Sequence, residues 1–390
     1  VAANGQTTMS RPGVQLPAGS STPAAMKESW SEWLDRHSGT VFIAPAIIMI
    51  LVFAIFPTIA SLVIAVSRIR LGGGGFNVRF VGLQNFQKQF AGNDQIHFLG
   101  RLSELSIYGW ALTIAITGAI AWWWFNYLRS GPTFIGVLGR IITSAVVIGI
   151  AYILSATALS GTPWGTLGTT LFYVFVGCSV QFVIGLGLAF LCSQPIVGKS
   201  FFRVIFFIPL MITPLGVGYA FRMVADTSKG PIAPFWQWIG LGNFSWAADP
   251  WAARVFVIVG DSWQWIPFIF VVLLAAFENV PRDHVEAAQV DGAGSWQIFR
   301  EIIWPQIIPV AATVMLIRVI EAFKIVDLPN IMTSGGPGIA TESMTLHAVF
   351  AWRSNDFGQS AAVAYLLLFV TVVICASFFN YVVLKQLRKI

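Results

Sequence analysis

Three charged side chains recur at three-residue intervals in the apolar stretch "LIRVIEAFKIV": Arg318, Glu321 and Lys324. On a helix this spacing lets Glu321 neighbour both bases on one face. A charge at mid-bilayer costs on the order of 2.5–3.5 kcal/mol on insertion scales, so such residues either pair for structure or line a water-filled path. Lys324, nearest the end of the stretch, can also snorkel towards water. Upstream, "DSWQWIPFIF" carries Gln264, Trp265 and Phe268. Aromatic faces suit the C–H face of a pyranose ring and amides suit its hydroxyls. A belt of indoles at a membrane interface is the competing reading for Trp263 and Trp265.

Other reactive chemistry is sparse. Cys178, Cys192 and Cys375 lie in or beside apolar runs without metal-ligand spacing and read as small core hydrophobes. His37, His97, His284 and His347 are far apart in the chain, none with a second ligand at helical spacing, so no metal site is expected. The "GGGG" run at 72–75 lacks the Lys and Ser/Thr of a phosphate loop and reads as a flexible turn. Gly198-Lys199-Ser200 lacks the earlier glycine of the Walker pattern, where Ser193 stands, so any ATP must be hydrolysed by another chain. An enzyme embedded in the membrane would need a nucleophile, metal or acid–base cluster, and beyond Glu321 the sequence offers none.

The elements that position these residues are membrane helices. Charged residues make up 10% of the chain against roughly 25% in a soluble domain. The net charge of +6 is scattered, with no basic block for nucleic acid. Residues 1–40 are Gly-, Pro- and Ser-rich and are expected to form a flexible tail. The first long apolar run is too long for a signal peptide, so no cleavable signal is expected. Eight segments are long and apolar enough to span: about 41–66, 106–126, 137–159, 169–192, 202–224, 253–277, 306–325 and 361–384. Lys and Arg in the short loops and the C-terminal "LKQLRK" put both termini and the Glu286 loop in the cytoplasm. Residues 67–105 then form an external loop, and 225–252 and 326–360 offer further external surface to a soluble partner.

The stretch "EAAQVDGAGSWQIFREIIWP", from Glu286, is a polar interruption within the loop 278–305. Pro281 can open a short helix through "RDHVEAAQV", Gly292 and Gly294 break it, and Ser295 can cap a second helix. Small Ala287 and Ala288 admit a close neighbour, and Glu286 supplies charge for a basic partner. Helix, glycine turn and helix make a docking shape.

This stretch resembles the EAA loop of permease subunits in ATP-binding-cassette importers. Glu286, Ala287, Ala288, Gly292, Ile302 and Pro305 fit its pattern, and Trp304 stands where Leu is usual. Asp291 and Ala293 match the "DGA" form of carbohydrate-type permeases. "FFIPLMITPLGVGYAFRMVADTSKGPI", "WQWIPFIFVVLLAAFENVPRDHVEAA" and "LPNIMTSGGPGIATESMTLHAVF" are similar to the maltose-transporter type of sugar permease, so the likeness covers 41–66 and 169–390.

The resemblance implies an all-α, polytopic transmembrane bundle with a six-helix core, to which 106–159 adds an inserted hairpin at a peripheral, lipid-facing position. It implies that Glu286, Ala287, Ala288, Asp291 and Gly292 couple the chain to an ATPase groove. It also sets Gln264, Trp265 and Phe268, with Arg318, Glu321 and Ala322, where the family contacts sugar. The implied partners are a second permease subunit in a heterodimer, two cytoplasmic ATPase subunits carrying ATP and Mg, an external solute-binding protein, a di- or oligosaccharide and the bacterial cytoplasmic (inner) membrane. No cofactor is expected on this chain. A polyamine or phosphate importer is the alternative, but it calls for charge of one sign, which Arg318, Glu321 and Lys324 do not show.

Overall fold

The computed structural model describes residues 30–72, 75–129, 133–157, 163–194 and 198–380. Most of the expected N-terminal tail, the centre of the Gly run and the C-terminal "LKQLRK" lie outside the described residues. The chain divides into two units, residues 1–59 and 60–390, each taken by itself.

In the first unit a helix begins at Trp30 and continues through Pro45 and a widened turn at Leu51–Ile55. The membrane-length helix it contributes to, α1 (Ser38–Ala65), has 28 residues, and none of its most apolar stretch is buried by protein. Phe42 and Phe53 are exposed, as lipid-facing side chains would be.

The second unit opens with an antiparallel hairpin, β1 (Ser67–Gly72) and β2 (Gly75–Phe80), in register from Ser67↔Phe80 to Gly72↔Gly75. Two short helices follow, α2 (Gln84–Ala91) and α3 (Gln95–Phe98). The stretch read as a plain external loop is therefore folded. Asn85 donates from Nδ2 to the carbonyls of Ala65 (2.8 Å) and Ser67 (2.9 Å), and its burial makes both bonds count.

Helices α4 (Ile107–Leu128) and α5 (Phe134–Thr157) pack as a pair, joined by Thr113 to Ser155 (3.1 Å) and Trp124 to Ser144 (2.9 Å). Arg140 lies over the rings of Trp123 and Tyr127, whose electron-rich faces attract its charge among apolar side chains. Only 6% and 11% of their most apolar stretches are buried, so most of their surface is left for lipid or another chain. Thr143 on α5 meets Ser377 on the last helix at 3.2 Å.

The core is built on α6 (Thr166–Ser193) and α9 (Pro250–Glu278), with α7 (Lys199–Met211) and α8 (Pro214–Ala225) between them in the chain. A Cβ on Gly185 would lie 2.7 Å from Ile269 Cγ2, so α6 and α9 meet where glycine removes a side chain. Replacing Gly185 with Leu should overpack this contact by about 1–3 kcal/mol. A lowered thermal transition in detergent is the expected result, and an unchanged transition would contradict the tight contact.

The segment 202–224, expected as one spanning helix, is instead two helices. The chain bends by 102° between α7 and α8. Pro214 disfavours helical backbone at the preceding residue, and Thr213 is extended (φ −65°, ψ 148°) while its hydroxyl accepts from Gly216 N to start α8. Seven helices among the described residues are long and apolar enough to span, or eight if the bent pair is one span.

Besides a short helix at Ala233–Trp238, the remaining elements are α10 (Arg282–Val290), α11 (Ser295–Phe323), α12 (Asp327–Thr333), α13 (Met344–Arg353) and α14 (Phe357–Phe378). Most of 326–360 is thus helical. The fold is a polytopic helical bundle with, among the described residues, one small hairpin.

Candidate functional site

The centre of the bundle holds a closed polar ring contributed by three helices. Arg318 on α11 forms an ion pair with Asp261 on α9, and its Nε donates to Gln181 Oε1 on α6 at 2.6 Å. Gln181 Nε2 in turn donates to Asp261 Oδ2 at 2.7 Å. Arg318 is 1% exposed and Asp261 5%, so each charge depends on the other for compensation. The Arg318 guanidinium also lies 4.7 Å from the centroid of the Trp265 ring.

The three-residue pattern on α11 therefore splits. Arg318 turns inward to Asp261, whereas Glu321 accepts from Lys324 Nζ at 2.6 Å on a more exposed face. The reading in which Glu321 serves both bases does not hold, because α9 and α6 present better partners to Arg318. Asp261 and Gln181 were not singled out from the sequence. The signal was present for Asp261, a lone carboxylate in the apolar run "VIVGDSWQW" and subject to the argument that selected Arg318.

Gln264, Trp265 and Phe268 follow on α9. Gln264 Nε2 donates to the carbonyl of Ile212 at 3.1 Å, inside the α7–α8 bend, where the broken helix leaves backbone groups to be re-satisfied by neighbours. Its Oε1 is buried and has no partner among the described residues. Trp265 and Phe268 meet edge to face at 5.8 Å, both half-buried. Ala322 is 1% exposed and packs in a hydrophobic cluster with Leu171, Val174 and Phe323, behind the polar residues.

A second feature is the segment joining α9 to α11. Pro281 is the N-cap of α10, and the helix ends in a Schellman turn: Ala293 N donates to Ala288 O (2.9 Å) and Gly292 N to Gln289 O (3.1 Å). Gly292 has φ +80°, the left-handed backbone that this turn requires and that glycine adopts without penalty. The next helix is capped at Gly294 without a side-chain bond, so Ser295 is its first residue and not its cap, a correction to the sequence reading.

No residue of α10 is buried; Glu286, Ala287, Asp291 and Gly292 are exposed, Ala288 is half-buried and Val290 is 88% exposed. A nine-residue helix with no packed face is below the length that is stable alone in water. Beneath it the ring of Phe299 on α11 is approached by Phe190 on α6 at 5.3 Å, Phe277 on α9 at 6.5 Å and Trp304 at 6.0 Å. Trp304, atypical for its place in the motif, packs on Phe299 within the same helix and, with it, against the apolar cluster that α6 and α9 supply.

A third cluster joins residues that the sequence kept apart. Glu342 Oε1 is 2.9 Å from His97 Nε2 and 2.9 Å from His347 Nδ1. Burial alone would push the Glu342 carboxyl up, but hydrogen bonds from His347 and His97 outweigh it and hold the carboxyl below its ordinary range. The separation of the histidines in sequence gave no sign of this pairing.

Residues 181–389, more than half of the chain, match the family described as "Binding-protein-dependent transport system inner membrane component". The chain is 32% identical over 216 residues to a probable ABC transporter permease protein of Pyrococcus horikoshii, covering 54% of this chain and 74% of that one. It is 29% identical over 209 residues to the trehalose/maltose transport system permease protein MalF of Thermococcus litoralis, covering 54% and 70%. In fold it is similar to a chain of a bacterial ABC transporter involved in the import of the acidic polysaccharide alginate, with TM-score 0.61 and 17% identity over 92% of this chain and 98% of that one. The bent, polar-centred bundle with its exposed α10 segment belongs to the family of inner-membrane components of binding-protein-dependent transport systems.

Proposed function

We propose that this chain carries a di- or oligosaccharide across the bacterial inner membrane by alternating access, as one half of a heterodimeric permease. The observation that carries the reading is α10: a helix without a packed face, ended by a glycine turn and followed by a helix whose Phe299 packs on the core helices through Phe190 and Phe277. Such a segment suits a groove on a soluble motor. Two cytoplasmic ATPase subunits, holding ATP and Mg, dock against Glu286, Ala287, Ala288, Asp291 and Gly292. Closure of those subunits moves the attached helices as rigid bodies. Both chain termini lie on that same cytoplasmic side. The family's dependence on a binding protein supports delivery of substrate at the opposite face.

Sugar as cargo is supported by the likeness to the trehalose/maltose permease of Thermococcus litoralis and by the residues of α9 and α11 that face polar or aromatic partners. Gln264 has a buried acceptor to spare, Trp265 and Phe268 supply ring faces, and Glu321 accepts hydroxyl donors. Arg318 lies against the Trp265 ring, and Ala322 packs in the neighbouring apolar cluster of α11 and α6. Replacing Trp265 with Ala is expected to change the ranking of sugars taken up more than it changes assembly. Equal uptake across a sugar panel would return Trp265 to the scaffold.

The deciding experiment is uptake into vesicles co-reconstituted with the partner permease and ATPases, with binding protein outside and ATP inside. Sugar accumulation that requires both is expected. Turnover without ATP would sink the reading.

A further inference from the structure

We propose that His97, Glu342 and His347 form a binding site for one divalent cation of the zinc class. His97 lies in α3, in the segment between the first helix and the α4–α5 pair, while Glu342 and His347 flank the start of α13. One ligand atom from each of the three lies within 4.8 Å of the other two, and the imidazole rings are 4.2 Å apart between centroids.

The donor set selects the metal class. Two imidazoles and one carboxylate are ligands that zinc takes, with a fourth position left for water, whereas calcium and magnesium prefer oxygen throughout. Tetrahedral zinc with bonds of about 2.0–2.1 Å holds its ligands about 3.3 Å apart. Both imidazole nitrogens now stand 2.9 Å from Glu342 Oε1, so the cluster need open only slightly to admit the ion.

Burial gives the site a wall and an entrance. Glu342 and His347 are 3% and 4% exposed, and the His97 side chain is 37% exposed, on the side from which an ion can enter. The His347 ring makes no hydrogen bond except to Glu342, its Nε2 being buried and unpartnered among the described residues. Its orientation is thus committed to the cluster. A bound cation would cross-link positions 245 residues apart, fixing α3 to the start of α13 and closing a very long loop.

The test uses the full chain with its co-purifying subunits in lipid nanodiscs, isolated with a tag that contains no histidine and freed of metal. Zinc is titrated against a chromophoric chelator, and cobalt is added separately as a spectroscopic probe. One equivalent of zinc should bind in the submicromolar range, with visible cobalt bands of low coordination number and no thiolate charge-transfer band. His97→Ala should weaken zinc at least about 100-fold, beyond the loss typical of outer-shell changes. His284→Ala, remote from the cluster, should bind as the native chain does. Absence of a saturable equivalent, or zinc binding unchanged in His97→Ala, overturns the proposal. Glu342→Gln is the second variant. If it does not fold, the half-exposed His97 decides the matter alone.

Discussion

Replacing Asp261 with Asn is expected to destabilise the folded chain by about 3–5 kcal/mol, because it leaves the Arg318 guanidinium charged and buried without its counter-ion. Arg318 is among the largest fully buried side chains, and its other partners, Gln181 and the Trp265 ring, are neutral. Arg318→Met alone should cost a similar amount by stranding Asp261. The combined Asp261→Leu, Arg318→Met and Gln181→Leu variant should recover much of the loss, since a well-packed apolar replacement of a buried ion pair is often neutral. Denaturant or thermal unfolding in detergent reads all three. Single variants as stable as the native chain would show that Arg318 and Asp261 are solvated, and the polar ring would lose its structural role.

Gly292→Val should uncouple ATP hydrolysis from transport while leaving the membrane bundle folded. A Cβ there meets nothing within 4 Å, so the penalty arises from backbone conformation and not from a clash. A β-branched residue at φ +80° costs about 1–2 kcal/mol, a factor of roughly 5–30 in the population of the formed turn. The end of α10 then loses its direction, and with it the placement of Glu286 and Ala287. Gly292→Asn, which tolerates left-handed backbone, should retain most coupling. The ratio of sugar transported to ATP hydrolysed, measured for both variants in one vesicle preparation, checks this. Equal ratios would remove α10 from the coupling path.

The α10 turn was legible in the sequence because its cause is local. Helix formers followed by Asp-Gly specify a Schellman end whatever surrounds them. The bend at Thr213–Pro214 was also written locally, but hydropathy across "FIPLMITPLGVG" outweighed the proline in the sequence reading. The inward face of α11 was not legible. Each of its faces is apolar enough to meet lipid or protein, so periodicity does not tell which charge turns inward.

The sequence by itself determined the membrane-length helices apart from the α7–α8 break, the polar α10 segment with its glycine turn, and, by resemblance, the family. The helices and the turn rest on contiguous residues and short-range rules of hydropathy and backbone geometry, and the family rests on the resemblance of the Glu286 stretch and its flanking segments to a known motif set. Only the tertiary structure decided that Arg318 answers to Asp261 and not to Glu321, that Phe299 packs on Phe190 and Phe277, and that His97 meets Glu342 and His347. Those contacts join residues on different elements. A buried charge takes whichever partner the packed neighbours bring within reach, and spacing along one helix does not specify those neighbours.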